Sequence, residues 1–592
     1  MAITRVLFSR AFSNNLQQIE VFQLTLDRKW QIAEPPPPGF RLDLGFLDSG
    51  VRGPLPARLM WNRGIRTAAD VAEYFSSGMD DFLDPKILPD MGIAVERIHS
   101  AIKNDETIGV FGDFDVDGLT GTAIMLRIVR SLGGKAIPYI PNRETDGHGL
   151  SNQAINSFAS AGVTLITTVD TGSTAVDEVA YANSLGIETV VTDHHLIETE
   201  RPKAIAIVNP HLESEGSEKQ VDYSGAGVAF KLAQALSEAA GREFPEELLP
   251  LAALGTIADI VPLESENRTL VREGLRVLGQ TDLPGLRALL DISRAPGASG
   301  RPTSELISFY VAPRLNAPGR MGDAEPSLQI LSTNDASEAR ALAERLDADN
   351  NKRRSLSQDA WEHASTQFDI NSDDSIVAVN CDGFPMGILG PLAGRLNELT
   401  GKPAIAYQLV NGLARASCRS KTVLDLHAAL STHADKFERF GGHARAAGFS
   451  IKHELLQDLL DDLRKHAAWG ALRAPALPTL HADAEVRLED LTVSTWNFVS
   501  AMEPFGEANR EPVLVTYGAV PMDVRTVGVD GKHLKISFNA DGRRVESIGF
   551  GLGDRALGTG AVDIVYQLRT EVWRGKTRRQ LGLRDIRPAA IK

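Results

Sequence analysis

TIGVFGDFDVDG, residues 107–118, is the stretch from which the rest of the chain can be read. An apolar run of strand length breaks off into Asp113, Asp115 and Asp117 at alternate positions. In an extended segment that spacing turns all three carboxylates the same way. Three like charges on one face repel unless a cation or full solvation relieves them. A solvated acidic turn satisfies the same spacing, so this motif alone leaves both readings open. VTLITTVD (163–170), IETVVTD (187–193) and AIAIVNP (204–210) repeat the form, each an apolar run with a polar ending. Helix-like segments lie between them, which predicts a parallel α/β sheet over about 105–325. Open parallel sheets bind ligands beyond the carboxyl ends of their strands. Those ends carry Asp170 and then Asp193, His194 and His195, while LAALGTIADIVP (251–262) adds Asp259 after an apolar helix. A lone Asp or His in such a place is ordinarily a cap or a satisfied core residue. Four clusters at the ends of elements of one sheet are not accounted for that way. Carboxylate oxygens and imidazoles without a thiolate suit Mn²⁺ or Mg²⁺. Several carboxylates around two histidines can hold two ions roughly 3.5–4 Å apart.

Outward from this sheet, the chain has 592 residues, enough for about four units at roughly 150 residues each. Net charge is −15 and 43% of residues are hydrophobic, which excludes a cationic coat but not a local basic groove. Cys381 and Cys418 are the only cysteines, so neither a disulfide framework nor a thiolate zinc site is expected, and a reducing cytoplasm fits. No apolar run approaches the ~20 residues of a membrane span. Residues 1–40, ending in the Pro35–Pro38 run, read as an extension outside the core. The unit 41–335 is the sheet domain with a helical N-terminal part. Residues 336–364 contain no Gly or Pro and predict one long helix, a connector within 336–370 spanning about 40 Å. A second, smaller α/β unit follows at 371–470. Beyond 475 the alternation in EPVLVTYGAV, HLKISFNA and AVDIVYQLRT predicts a β-barrel of OB-fold type over 475–592.

Three basic features stand apart from the acidic clusters. PRLNAPGRMGDA (313–324) is rich in loop-forming residues and presents Arg314, Asn316 and Arg320. Arginine forks match phosphate oxygens, although an interdomain salt bridge is the plainer use of them. SCRSK offers Arg419 and Ser420, and RFGGHARAAGF offers, before His443, the Gly441–Gly442 pair, which suits close backbone approach to a ligand but more ordinarily a plain turn. WRGKTRRQLGLRDIR (573–587) concentrates Arg574, Arg578 and Arg579 around Trp573. A basic strand pair with an aromatic on a small barrel grips single strands without sequence preference. A solvated edge strand protected by charge has the same composition.

DFDVDG, DTG, DHH and TIADIVP, in this order, resemble motifs one to four of the DHH phosphoesterase superfamily. RLMWNRGI, PRLNAPGRMGDA, SCRSKTVLDLHAAL, RFGGHARAAGFS, EPFGEANREPV and WRGKTRRQLGLRDIR extend the resemblance to RecJ-type single-strand-specific exonucleases over roughly residues 55–590. The fold so implied is a parallel-sheet DHH domain, a long helix, a smaller α/β DHH-associated domain and an OB-fold. The implied activity is degradation of single-stranded DNA from the 5′ end to mononucleotides, in recombination and repair. The resemblance implies two metal ions, Mn²⁺ favoured over Mg²⁺. Asp115 and Asp170 would hold one, and Asp117, Asp170, His194 and Asp259 the other. His195 would face the scissile phosphate, with Asp113 and Arg314 beside it. Arg314, Asn316, Arg320, Arg419, Ser420, His443, Trp573, Arg574, Arg578 and Arg579 would contact the strand. Some superfamily members carry a His where this chain has Phe111, which leaves the first ion's ligand set open. Single-strand-binding protein and a RecQ-like helicase are the implied partners of a monomer.

Two other readings remain. A DHH phosphodiesterase for short oligonucleotides or cyclic dinucleotides would keep its activity after loss of residues beyond 475. A non-catalytic single-strand-binding scaffold would have lost motif carboxylates, and all of them are present.

Overall fold

The computed structural model describes residues 28–42 and 54–589, apart from 144–145, 148, 198–199, 213–220, 294–300, 371, 422–423, 472–478, 556, 558–559 and 574–575. Thr107–Gly112 lies second from the edge of a five-stranded sheet, all of it parallel. Across the sheet the strands run Lys135–Tyr139, Thr107–Gly112, Val163–Val169, Glu188–Thr192 and Ala206–Val208. The order therefore reverses between the first and third strands to form. That switch point opens a crevice at the carboxyl edge. Asp113 and Asp170 leave their strands there side by side, with the Asp113 amide donating to the Val169 carbonyl at 3.3 Å.

Four of the five strands match the sequence reading. The edge strand Lys135–Tyr139 does not, because Lys135 and Pro138 interrupt any apolar alternation, and an edge strand tolerates Pro. Helices Val116–Ser131, Gly225–Ala239 and Leu249–Ala258 share the main core with one face of the sheet. Asn152–Ser160 and Val176–Ser184 cover the other, around Phe111 and Phe158.

The long helix forms as expected, from Ala336 to Ser365, with the Asp335 carboxylate accepting from the amides of Ser337 and Glu338. Leu342 and Leu346 bury into the sheet domain and Ala360, Trp361 and Ala364 into the second lobe, so one helix belongs to two cores. The second lobe is a mixed sheet, with Val377–Asn380 parallel to Ala404–Val410 and the remaining pairs antiparallel. Gly441 and Gly442, expected in a turn, lie instead inside the strand Phe437–His443. Gly442 sits at φ +128°, and a Cβ there would stand 2.5 Å from the Ala447 Cα.

Residues beyond 513 build the expected barrel. Leu514–Val527, His533–Ala540, Arg543–Gly549, Lys576–Pro588 and Val562–Trp573 pair in turn, and the first and last close the ring. Five strands closed this way make an OB-fold.

Two expectations about the N-terminal part are overturned. Within residues 1–40, Lys29–Ile32 is a strand parallel to Thr479–Ala482, and the Trp30 indole donates to Asp585 at 2.8 Å. This segment is thus part of the barrel's surround, while residues 1–27 lie outside the described residues. The helices Leu55–Asn62 and Ala68–Ser76 do not belong to the sheet domain. Leu59, Met60, Ile65 and Val71 pack into the barrel core with Phe498, Leu514 and Tyr566. Arg268 fastens this assembly to the sheet domain, donating to the carbonyls of Tyr74, Met502, Glu503 and Pro504. No helix among the described residues is long and apolar enough to cross a membrane.

Candidate metal centre

Asp115 and Asp117 do not continue the strand. Asp115 caps the helix Val116–Ser131, its carboxylate accepting from the amides of Asp117 and Gly118, and Asp117 sits in the first turn. The extended alternation expected for the three aspartates is therefore replaced by a strand end, a cap and a helical turn. The Asp117 carboxylate accepts from the amides of Gly225 at 2.6 Å and Ala226 at 2.9 Å, the opening of another helix. Two helix N-termini thus aim positive dipole ends at one buried carboxylate.

Asp170 ends its strand at φ +61°, a left-handed conformation uncommon outside glycine. Its neighbour across the crevice must be small. A Cβ on Gly225 would stand 2.4 Å from the Asp170 Cβ, and one on Gly255 would stand 2.5 Å from Asp117 Oδ1. The His194 Nε2 atom is the hub. It lies 3.1 Å from Asp170 Oδ1, 3.6 Å from Asp259 Oδ2 and 3.9 Å from Asp117 Oδ2. Asp113, Asp115 and Asp170 form one donor set; Asp117, His194 and Asp259 form a second; and Asp170, His194 and His195 form a third. Within each set the ligating atoms all lie inside 4.8 Å of one another. Asp170 is common to two sets.

Burial drives the electrostatics. It pushes the Asp113 carboxyl up to about 7, with Asp115 adding repulsion, and Asp259 up to about 8, with Asp117 adding repulsion. Asp117 and Asp170 are also raised, first by burial, and burial lowers His194. Asp113 Oδ1 and Asp170 Oδ1 are buried with no hydrogen-bond partner. Unpaired buried acceptors of this kind are costly. A hard divalent cation satisfies those lone pairs and relieves the repulsion together, so these residues fit one. Phe111, whose position left the ligand set open, is buried and stacks on Tyr139 with ring centroids 5.8 Å apart, in the apolar layer of the opposite face.

His195 is held differently. Its Nδ1 lies 2.7 Å from Asp193 Oδ1, and half of its side chain is exposed. That hydrogen bond outweighs burial and pushes the imidazole up to about 9. Burial would raise Asp193, but its bond to His195 and the Ser173 amide keep it below the ordinary carboxylate range. Asp193 thus holds the His195 ring through its Nδ1.

Arg320 lies half-buried near Asp115, Arg143 and Arg419, and burial lowers its guanidinium to about 10. Arg419, from the second lobe, reaches the same place and bonds to the Cys418 carbonyl at 2.8 Å. Arg143 is the functional candidate that sequence reasoning missed. It stands beside Asp113 and Asp115 and over the Phe114 ring at 4.7 Å. Its one signal, a basic residue just past the carboxyl end of a strand, is hidden because that strand was not recognised.

Several of the remaining sequence candidates are held by contacts of their own. PRLNAPGR is not a loop but the helix Ala312–Arg320, with Pro313 in its first turn. On it Arg314 is taken up by Asp347, at 2.7 and 2.9 Å, and by the Tyr310 carbonyl, so it ties this helix to the connector. Asn316 is half-buried on the same helix. Ser420 is buried, its hydroxyl accepting from the Leu424 amide. His443 is exposed at the end of its strand. Arg578 is exposed on the barrel, and Arg579 reaches Asn497. Arg574 and the Trp573 side chain lie outside the described residues.

Comparisons with known proteins agree with this architecture. Residues 107–256 match the DHH family N-terminal domain, 373–468 the DHHA1 domain and 482–585 the RecJ OB domain. The single-stranded-DNA-specific exonuclease RecJ of Bacillus subtilis is 34% identical over 538 residues, covering 90% of this chain and 68% of that protein. The crystal structure of RecJ from Thermus thermophilus in complex with Mn²⁺ superposes with a TM-score of 0.80 at 30% identity, over 95% of this chain and 80% of that one. The same protein in complex with Mg²⁺ gives 0.74 at 29% identity, over 95% and 79%.

Proposed function

The chain belongs to the RecJ family of single-stranded-DNA-specific exonucleases, and from that premise we propose that it digests single-stranded DNA from the 5′ end to 5′-mononucleotides at the Asp–His cluster. The observation that carries the reading is the convergence on His194 of Asp117, Asp170 and Asp259 from three separate elements, beside a second carboxylate set in which Asp113 Oδ1 and Asp170 Oδ1 are buried with no hydrogen-bond partner. Asp115 and Asp170 hold one Mn²⁺ in this reading, with Asp113 beside them. Asp117, Asp170, His194 and Asp259 hold the second, and Mg²⁺ is the alternative ion. Bound there, the pair supplies Lewis-acid activation of water and of the phosphoryl oxygens.

The chain's own groups do the rest. His195, fixed through Nδ1 by Asp193, points Nε2 outward to meet the scissile phosphate as charge develops on it. Arg320, Arg143 and Arg419 offer planar donors to phosphate oxygens from both sides of the cleft. Arg439 of the second lobe comes so near Gly147 that a Cβ there would meet its guanidinium at 2.7 Å. The two lobes therefore touch here, and in this reading the passage they bound admits one strand and excludes a duplex. The barrel, with Arg578 exposed, feeds the strand inward. Partnership with a single-strand-binding protein and a RecQ-like helicase, a monomeric state and a cytoplasmic location complete the proposal. The location draws on two buried free cysteines.

A single-stranded DNA of about fifty nucleotides, a length that spans several OB-fold sites, tests polarity and product together. With the label on the 5′ end, the reading expects labelled mononucleotide from the first turnovers. A 3′ label should stay on long fragments until late. Early mononucleotide from the 3′ label would overturn the polarity, and rapid cleavage of dinucleotides beside an untouched long strand would favour the short-substrate reading.

A further inference from the structure

At the carboxyl edge of the sheet lies a closed ring of hydrogen bonds, of which the reaction as described uses only the bond between Asp193 and His195. Asn209, at the end of the last parallel strand, is fully buried. Its side-chain amide nitrogen donates twice, to the His195 carbonyl and to the Ser173 hydroxyl, both at 2.9 Å. Its side-chain oxygen accepts from the His211 amide at 2.8 Å. Ser173, also fully buried, donates its amide to Asp193 Oδ2 at 2.9 Å. Asp193 Oδ1 takes the His195 Nδ1 and accepts from the amide of His194 at 2.8 Å. The Asp193 amide in turn donates to Val208 at 3.1 Å. Every polar atom of the Asn209 side chain is therefore committed within one ring through three strand ends.

We propose that Asn209 is a positioning residue for His195. Asp193 fixes the imidazole at one point, which leaves rotation of the residue about that contact. The bond from Asn209 to the His195 carbonyl fixes the backbone at a second point, and two points set where Nε2 faces. Only an amide does this at position 209. A carbonyl oxygen has no hydrogen to give, so a carboxylate of the same shape sets acceptor against acceptor. A misplacement on the order of 1 Å at a reacting centre costs about 100-fold in rate. Support at one remove from an active group is worth about 10–100-fold. Because Asn209 contacts neither the carboxylates nor the His194 ring, binding of cation and strand is spared.

The inference rests on the reading that His195 acts on the phosphate, and a double-mutant cycle separates the two. Single-turnover rates are measured for the native chain, Asn209→Ala, Asn209→Asp, His195→Ala and Asn209→Ala/His195→Ala. Calorimetric Mn²⁺ affinity and amide exchange of residues 193–195 in metal-free protein accompany them. Both Asn209 variants should lose about 10–100-fold in kcat, with KM and Mn²⁺ affinity changed by less than about twofold and faster exchange at residues 194 and 195. In the His195→Ala background, Asn209→Ala should cost nothing more, as for groups that act as a unit. Full activity in Asn209→Ala overturns the proposal. So does a loss that multiplies with that of His195→Ala, because a residue supporting the fold at large would lower the double variant further. An undiminished His195→Ala rate instead removes the role of His195 and leaves the ring as architecture.

Discussion

Gly255→Ala is the substitution whose sign this site decides. In an ordinary helix interior the change stabilises by about 1 kcal/mol, since glycine is the poorer helix former. Gly255 lies inside Leu249–Ala258 and is buried. A Cβ built on it would stand 2.4 Å from the Ala226 Cβ, 2.5 Å from Asp117 Oδ1 and 2.6 Å from the Thr120 hydroxyl. None of these neighbours is the free end of a flexible chain. Asp117 is pinned by two backbone amides, and Ala226 belongs to the helix that supplies both of them. Inserting one carbon into such packing costs about 1–3 kcal/mol, which cancels the helical gain and exceeds it. The Asp117 carboxylate has to move by several tenths of an ångström from its place beside His194. Urea unfolding should show no gain and a net loss of up to about 2 kcal/mol, and single-turnover cleavage of single-stranded DNA should fall about 10–100-fold. Gly394→Ala, in a helix position where a Cβ meets nothing within 4 Å, serves as the control and should be neutral or stabilising. A Gly255→Ala protein as stable and as active as the native chain would refute the reasoning.

Two further outcomes follow from groups outside the cleft. Lys231 is wholly buried against Glu266 at 2.8 Å, and Glu266 also accepts from the Tyr223 hydroxyl and the Leu83 amide. Lys231→Met leaves that carboxylate without its cation and should cost about 3–5 kcal/mol in urea unfolding; an unchanged midpoint would mean that the network is not closed in solution. Burial pushes the Glu511 carboxyl up to about 7 despite nearby Arg569. A raised carboxyl opposes folding above its unfolded value, and the penalty grows from about pH 4.5 to about pH 7. Glu511→Gln should therefore be more stable than the native chain at pH 8 and indistinguishable from it near pH 4.5, and equal stability at both would contradict the burial of this group.

Much of the site was legible because the carboxyl-end rule for parallel sheets turns sequence order into spatial order. Asp113, Asp170 and the Asp193–His195 run each follow an apolar run of strand length, and the structure brings them to one crevice. Asp259 follows a helix so apolar that its burial was not in doubt. What escaped the reading shares one cause, a partner distant in sequence. Lys29–Ile32 is short and unremarkable until it pairs with Thr479–Ala482. The N-terminal part of 41–335 reads as helical, but nothing local says that its helices meet the barrel rather than the sheet. Pro313 and Pro318 made a helix look like a loop, although the first-turn position of Pro313 sacrifices no hydrogen bond. Arg143 was invisible because an edge strand carrying Pro138 lacks the alternation that would have flagged its end.

The account stands or falls on Asp170, which is shared by two of the three donor sets found among the described residues and whose Oδ1 is buried with no hydrogen-bond partner. The decisive measurement is calorimetric titration of Mn²⁺ into the native chain and into Asp170→Asn, with single-stranded DNA binding and cleavage followed on the same preparations. The account predicts that the native chain binds the cation and cleaves, whereas Asp170→Asn loses both and still holds the strand. Cation-dependent cleavage at the native rate by Asp170→Asn would place the reaction somewhere other than this crevice.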